Sequence, residues 1–150
     1  MKKLWAVSLL SLSFASGALA QVSVKDAWIR ATVPAAKAGG AFMRLQSAQD
    51  ARLVAVRSPV AGVVEIHQME MAGETMKMHA VAGLDLPAGK PVDLASGGYH
   101  VMLLDLKHQL KEGETVPLTL VIEQKNKKTD TMLIQVPVKA LTYTAPAPAR

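Results

Sequence analysis

Residues 63–104, VVEIHQMEMAGETMKMHAVAGLDLPAGKPVDLASGGYHVMLL, gather five of the chain's eight methionines (Met69, Met71, Met76, Met78, Met102) and three of its four histidines (His67, His79, His100). Thioether sulfur is a soft, neutral donor and imidazole a borderline one, so a mixed set of the two favours Cu(I). Ten residues separate His67 from Met78, twenty-one separate Met78 from His100, and one separates His100 from Met102. None of these donors has to lose a proton as a thiol must, so such a site can operate in an oxidising compartment. No carboxylate cluster accompanies these residues, which argues against calcium or magnesium. Zinc would ordinarily recruit cysteine, more histidine or a carboxylate. A packing reading fits the same residues: the methionines fill a hairpin and His67 and His100 lie on a surface.

To bring these donors together the chain needs strands. GVVEIHQMEM alternates, so that Val64 and Ile66 point one way while Glu65, His67, Met69 and Met71 point the other. Ala72-Gly73-Glu74 is a turn, and TMKMHAV returns with Met76 and Met78 on one face and Lys77 and His79 on the opposite one. The strand from Tyr99 puts His100 and Met102 on a shared face. Two methionine-bearing strands joined by a tight turn set their sulfurs side by side across the pair. Met69, Met71 and Met76 are therefore candidate auxiliary donors, whereas His79 is expected to face away and His108 to be solvated in a charged loop.

The remaining chain repeats the pattern. VSVKDAWIRATVP, GAFMRLQSA, ARLVAVRSPV, TVPLTLVIEQ and DTMLIQVPV read as strands punctuated by Pro34, Pro59, Gly97-Gly98, Gly113 and the KNKKT turn. Trp28 and Met43 are assigned to core packing. No sustained 3.6-residue apolar period is present, and many short strands with Gly/Pro turns predict an all-β sandwich or barrel.

Length and composition bound the rest. A chain of 150 residues suits one domain. Residues 1–20, MKKLWAVSLLSLSFASGALA, show the charged, apolar and small-residue order of a secretory signal peptide cleaved after Ala20. The expected divisions are thus 1–20 signal, 21–140 folded domain and 141–150 a disordered Ala/Pro-rich tail. Lys2 and Lys3 are the only charges in the signal, so residues 21–150 carry a net +3 rather than the +5 of the whole chain. With few aromatics and one basic cluster at Lys125, Lys127 and Lys128, nucleic acid is a poor partner. No membrane span is expected once the signal is removed. There is no cysteine, which excludes disulfides, thiolate ligands, acylation of a thiol and a blue-copper centre. No Ser/His/Asp or paired-carboxylate arrangement stands out, so the chain reads as a binding module and not an enzyme.

EIHQMEM, TMKM, LPAG, GGYHVMLLDLK and LKEGETVPLTLVIE together resemble the periplasmic PCuAC-type copper chaperones, over roughly residues 22–138. That family shows His or Met, ten residues, Met, twenty-one residues, His, one residue, Met; His67, Met78, His100 and Met102 satisfy each interval. The resemblance implies a cupredoxin-like Greek-key β-sandwich with an accessible Cu(I) site, one ion per chain. It also implies copper delivery towards the dinuclear copper site of cytochrome c oxidase, through its copper-bearing subunit or a Sco-type thiol copper protein. Periplasmic copper buffering for tolerance would use the same site. An exported interaction domain without metal is the alternative from another class.

Overall fold

Alternating apolar and polar residues build ten strands: β1 (Val22–Arg30), β2 (Ala38–Ser47), β3 (Ala51–Arg57), β4 (Ala61–Ala72), β5 (Thr75–Val81), β6 (Leu84–Leu86), β7 (Pro91–Leu94), β8 (Tyr99–Leu106), β9 (Thr115–Gln124) and β10 (Thr129–Lys139). The computed structural model describes residues 21–147, among which no helix is long and apolar enough to cross a membrane. The signal segment expected at 1–20 lies outside the described residues. In β9, Val116, Leu118, Leu120 and Ile122 are buried while the intervening Pro117 and Thr119 are not, the period-two pattern of a half-buried strand.

The strands follow the order β5-β4-β8-β7-β2-β1-β10-β9-β3-β6, with β8 also pairing with β2. This run closes into two layers, β5 to β1 in one and β10 to β6 in the other, and the parallel pairing of Ile29 with Val138 and Arg30 with Lys139 joins them. Strands adjacent in sequence repeatedly sit in different layers (β2 and β3, β3 and β4, β8 and β9), as in a Greek-key arrangement. Between the layers, Ile29, Ala41, Leu45, Val101 and Leu103 meet Leu53, Leu118, Leu120 and Val136 in one continuous core. Met43 lies within it, as its apolar neighbours predict. The strand pattern's all-β sandwich is what the chain forms.

Trp28 departs from expectation. Its register shifts between Lys25 and Trp28, where Asp26 takes φ 52°, and a bulge of this kind reverses which face the following residues occupy. Trp28 is therefore buried on the outer face, opposite Phe42 and stacked on it at 4.6 Å, while Ile29 takes the core position. Tyr143, inside the segment expected to lack order, packs edge-on against Trp28 at 4.8 Å.

Leu103 of β8 is fully buried directly between the outward-facing Met102 and Leu104 positions. Leu103→Ala is expected to lower stability by about 2–5 kcal/mol, measured as a reduced urea midpoint at unchanged slope. A loss below about 1 kcal/mol would contradict its place in the core.

Candidate metal centre

Three strands carry the site, and their registers decide which side chains meet. On the antiparallel pair β4–β8, His67 lies opposite His100 and Glu65 opposite Met102. On the antiparallel pair β4–β5, Met69 lies opposite Met78 and Met71 opposite Met76. Directly opposed residues share a face, and alternate residues along a strand keep to it. Glu65, His67, Met69, Met71, Met76, Met78, His100 and Met102 consequently all belong to the outer face, while Ile66, Val101 and Leu103 enter the core. A two-residue turn sets the β4–β5 register, with Gly73 at φ 67° in its first central position, the conformation a type II′ hairpin needs.

The two imidazoles are buried, with ring centroids 5.8 Å apart. His100 Nδ1 lies 3.3 Å from the Gly98 carbonyl oxygen. A carbonyl can only accept, which assigns the neutral ring's proton to Nδ1. The Nε2 lone pair then faces Met78 Sδ at 3.1 Å. Two lone-pair donors confront one another with no proton between them, an arrangement that a soft cation would satisfy. His67 Nε2 lies 2.7 Å from Glu65 Oε2, and the carboxylate likewise assigns the proton to Nε2. That leaves His67 Nδ1 as the lone-pair nitrogen, buried and without a hydrogen-bond partner among the described residues. An unsatisfied buried polar atom costs about 1–3 kcal/mol, so its retention points to a ligand outside the protein's own groups.

Burial holds the His100 imidazole below its ordinary range; the Gly98 carbonyl opposes this shift and the neighbouring His67 adds to it. The ring thus stays neutral, and able to ligate, in mildly acidic solution. Met102 occupies the next row, between Glu65 of β4 and Gly40 of β2. A Cβ at Gly40 would stand 3.2 Å from the Phe42 ring, so the glycine lets that ring lie down beside the site. Phe42 is 6.3 Å from His100, ring to ring.

The structure brings His67, Met78 and His100 together and places Met102 beside them on the same face. His79 pairs with Gln68 on the other face, 4.0 Å from Glu70. His108 is exposed after β8, 3.5 Å from Glu114. Glu65 and Phe42 are the residues that sequence reasoning did not assign to the site; for Glu65 the signal was its place two residues before His67 on the same strand face. Among the described residues no three His, Asp or Glu side chains gather as a metal site. A cavity of about 1030 Å³ lined by Val22, Gln46, Ile122 and Met132 contains none of the donors.

Residues 22–138 match the family described as "Putative lipoprotein LpqE-like". The "Putative lipoprotein Lxx21020" of Leifsonia xyli subsp. xyli (strain CTCB07) is 31% identical over 120 residues, covering 79% of this chain and 69% of its own length. Among solved structures, the apo PCuAC domain from PmoF1 is similar at 27% identity and a TM-score of 0.65, over 79% of this chain and 93% of that one. Apo-DR1885 from Deinococcus radiodurans is similar at 29% identity and 0.59, over 93% of each chain. CuI-DR1885 is similar at 33% identity and 0.57, over 83% of each. The cupredoxin-like fold implied by the family resemblance is the fold of these neighbours.

Without metal, the His100 ring is expected to titrate below the ordinary imidazole value of about 6.5, read from its C2–H resonance. The fold favours the neutral ring, so this group's contribution to stability is complete above the unfolded pKa. It declines as pH falls towards the lower folded value. His100→Phe should remove that part of the acid sensitivity, and a ring titrating at or above the ordinary value would contradict its burial.

Proposed function

Because the chain belongs to the LpqE-like, PCuAC-type family, whose domains are copper-binding and chaperone-like, we propose that it is a periplasmic Cu(I) metallochaperone holding one ion per chain through His67, Met78, His100 and Met102. The observation that carries this reading is the His100 Nε2 lone pair facing Met78 Sδ at 3.1 Å. The orphaned Nδ1 of His67 supports it. All four donors are neutral, a set that suits a soft monovalent ion.

The donors divide by mobility. Gly98 and Glu65 fix the two imidazoles through the nitrogen that does not ligate, the usual outer support of metal-binding histidines. Met78 is 47% exposed on the edge hairpin and has three rotatable bonds. An acceptor's donors can therefore displace Met78 first and the imidazoles last. A thiolate acceptor binds Cu(I) more strongly than neutral thioethers do, so transfer to it runs downhill. The resemblance in the site spacing supports the copper-bearing subunit of cytochrome c oxidase, or a Sco-type thiol protein, as that acceptor. Export is supported by the expected signal at residues 1–20 and by the lipoprotein names of the family and its relative.

Anaerobic titration against a chromophoric Cu(I) chelator tests the reading. The wild type is expected to take one equivalent tightly and the Met78→Leu/Met102→Leu variant only weakly; failure of the wild type to compete with even a weak chelator would sink it. Glu65→Leu removes the support of His67 while keeping the ligands, and is expected to weaken Cu(I) binding about 10–100-fold with an unchanged far-ultraviolet spectrum. Unaltered affinity in that variant would exclude Glu65 from the site.

A further inference from the structure

The β4–β5 hairpin continues past the histidine site, and its outer face goes on carrying sulfur. Met69 and Met78 form one cross-strand row, and Met71 and Met76 form the next, nearer the turn. Every residue from Glu70 to Ala80 is exposed. Met71 is 58% exposed and Met76 is 44% exposed, and none of the hairpin methionines belongs to the buried core. Core packing therefore does not account for them. Neither does strand propensity, since β-branched residues serve a strand better. The hairpin also forms one edge of the sheet, where exposed apolar side chains invite association between molecules. What methionine adds at such positions is a flexible side chain ending in a soft donor.

We propose that Met69, Met71 and Met76 form a second, weaker Cu(I) position at the hairpin tip, which receives the ion and passes it to the Met78–His100 site. This rests on the reading of the inner site given above. Met78 links the two positions, facing Met69 across the strand pair and His100 Nε2 at 3.1 Å. Successive rows on one face of a strand are roughly 7 Å apart, within reach of mobile thioether side chains. The gradient runs inward, from exposed thioethers alone to a set containing buried imidazoles. In the transfer, the sulfur–copper bonds to Met69, Met71 and Met76 are replaced one by one by bonds to Met78, His100 and the remaining inner donors. The metal remains Cu(I), and no proton moves, because neither a thioether nor the unprotonated imidazole nitrogen carries one.

The test uses protein labelled at its methionine methyl carbons and titrated with Ag(I), a redox-inert stand-in for Cu(I). The first equivalent is expected to shift the Met78 and Met102 methyls and the His100 ring. The second is expected to shift the Met69, Met71 and Met76 methyls. Met71→Leu/Met76→Leu, which conserves apolar volume, should retain the first event, lose the second and take up metal more slowly in stopped flow. Stationary Met71 and Met76 methyls through the second equivalent would overturn the proposal, as would a second event that persists in the leucine variant; a patch that only docks a protein would give the first of these results. Shifts at the tip with Met78 and Met102 unmoved would overturn the inner-site reading and the relay together.

Discussion

The pairing of β4 with its two neighbours is the constraint on which the rest depends. Strand side chains alternate with a period of two, so a slip of one residue would carry the entire donor face to the other side of the strand. Core burial guards against that slip. Ile66, Val101 and Leu103 occupy the inner face of β4 and β8 and are essentially buried. Turning each to water would cost roughly 1.5–3 kcal/mol. The same apolar residues that hold the sandwich together thus aim His67 at His100. Gly73 extends this control to β5: its positive φ closes a two-residue turn, and that turn sets Met78 across from Met69 rather than one place away.

Within this frame the site meets two opposed demands. Imidazoles that ligate must be held in one tautomer and orientation, and here a backbone carbonyl and a carboxylate do so from outside the ligand set. The holding has a cost, visible in the unpartnered Nδ1 of His67, and the well-packed core beneath offsets it. On the proposed chaperone reading release demands the opposite, which Met78 on its exposed edge hairpin would meet. Rigid nitrogen and mobile sulfur therefore come from different elements: paired strands inside the layer supply the first, the edge supplies the second.

Much of this was legible in the sequence because it depends on period-two alternation and on spacing. The face shared by His67, Met69 and Met71, the opposite placement of His79 and the buried position of Met43 all follow from local pattern. Trp28 did not follow, because the bulge at Asp26 depends on pairing with β2 and on a positive φ at a non-glycine residue. Without that bulge, alternation assigns the tryptophan to the core; with it, Trp28 joins Phe42 and Tyr143 in an aromatic border beside the site. Gly40 and Phe42 reach the site only through the pairing of β2 with β8. That contact spans some sixty residues of sequence, and no local window contains it. The role of Glu65 was half visible: its face could be read, but its bond to the far nitrogen of His67 is a matter of rotamer.

On the proposed reading of an exported Cu(I) chaperone with a thiolate acceptor, the absence of cysteine fits the donor set. A thiolate would bind Cu(I) more tightly, but it would also be oxidised in an oxidising compartment and would hold its cargo against a thiolate acceptor. Neutral thioethers and imidazoles resist the first hazard better and leave transfer downhill. They bind weakly one at a time, so the chain needs several of them converging, and convergence needs a rigid sheet. A disulfide-free sandwich whose core and hairpin turn fix the register meets that need. In the proposed chaperone, selectivity for a soft ion and readiness to give it up would arise from one choice of side chains, and affinity from the strand pairing that assembles them.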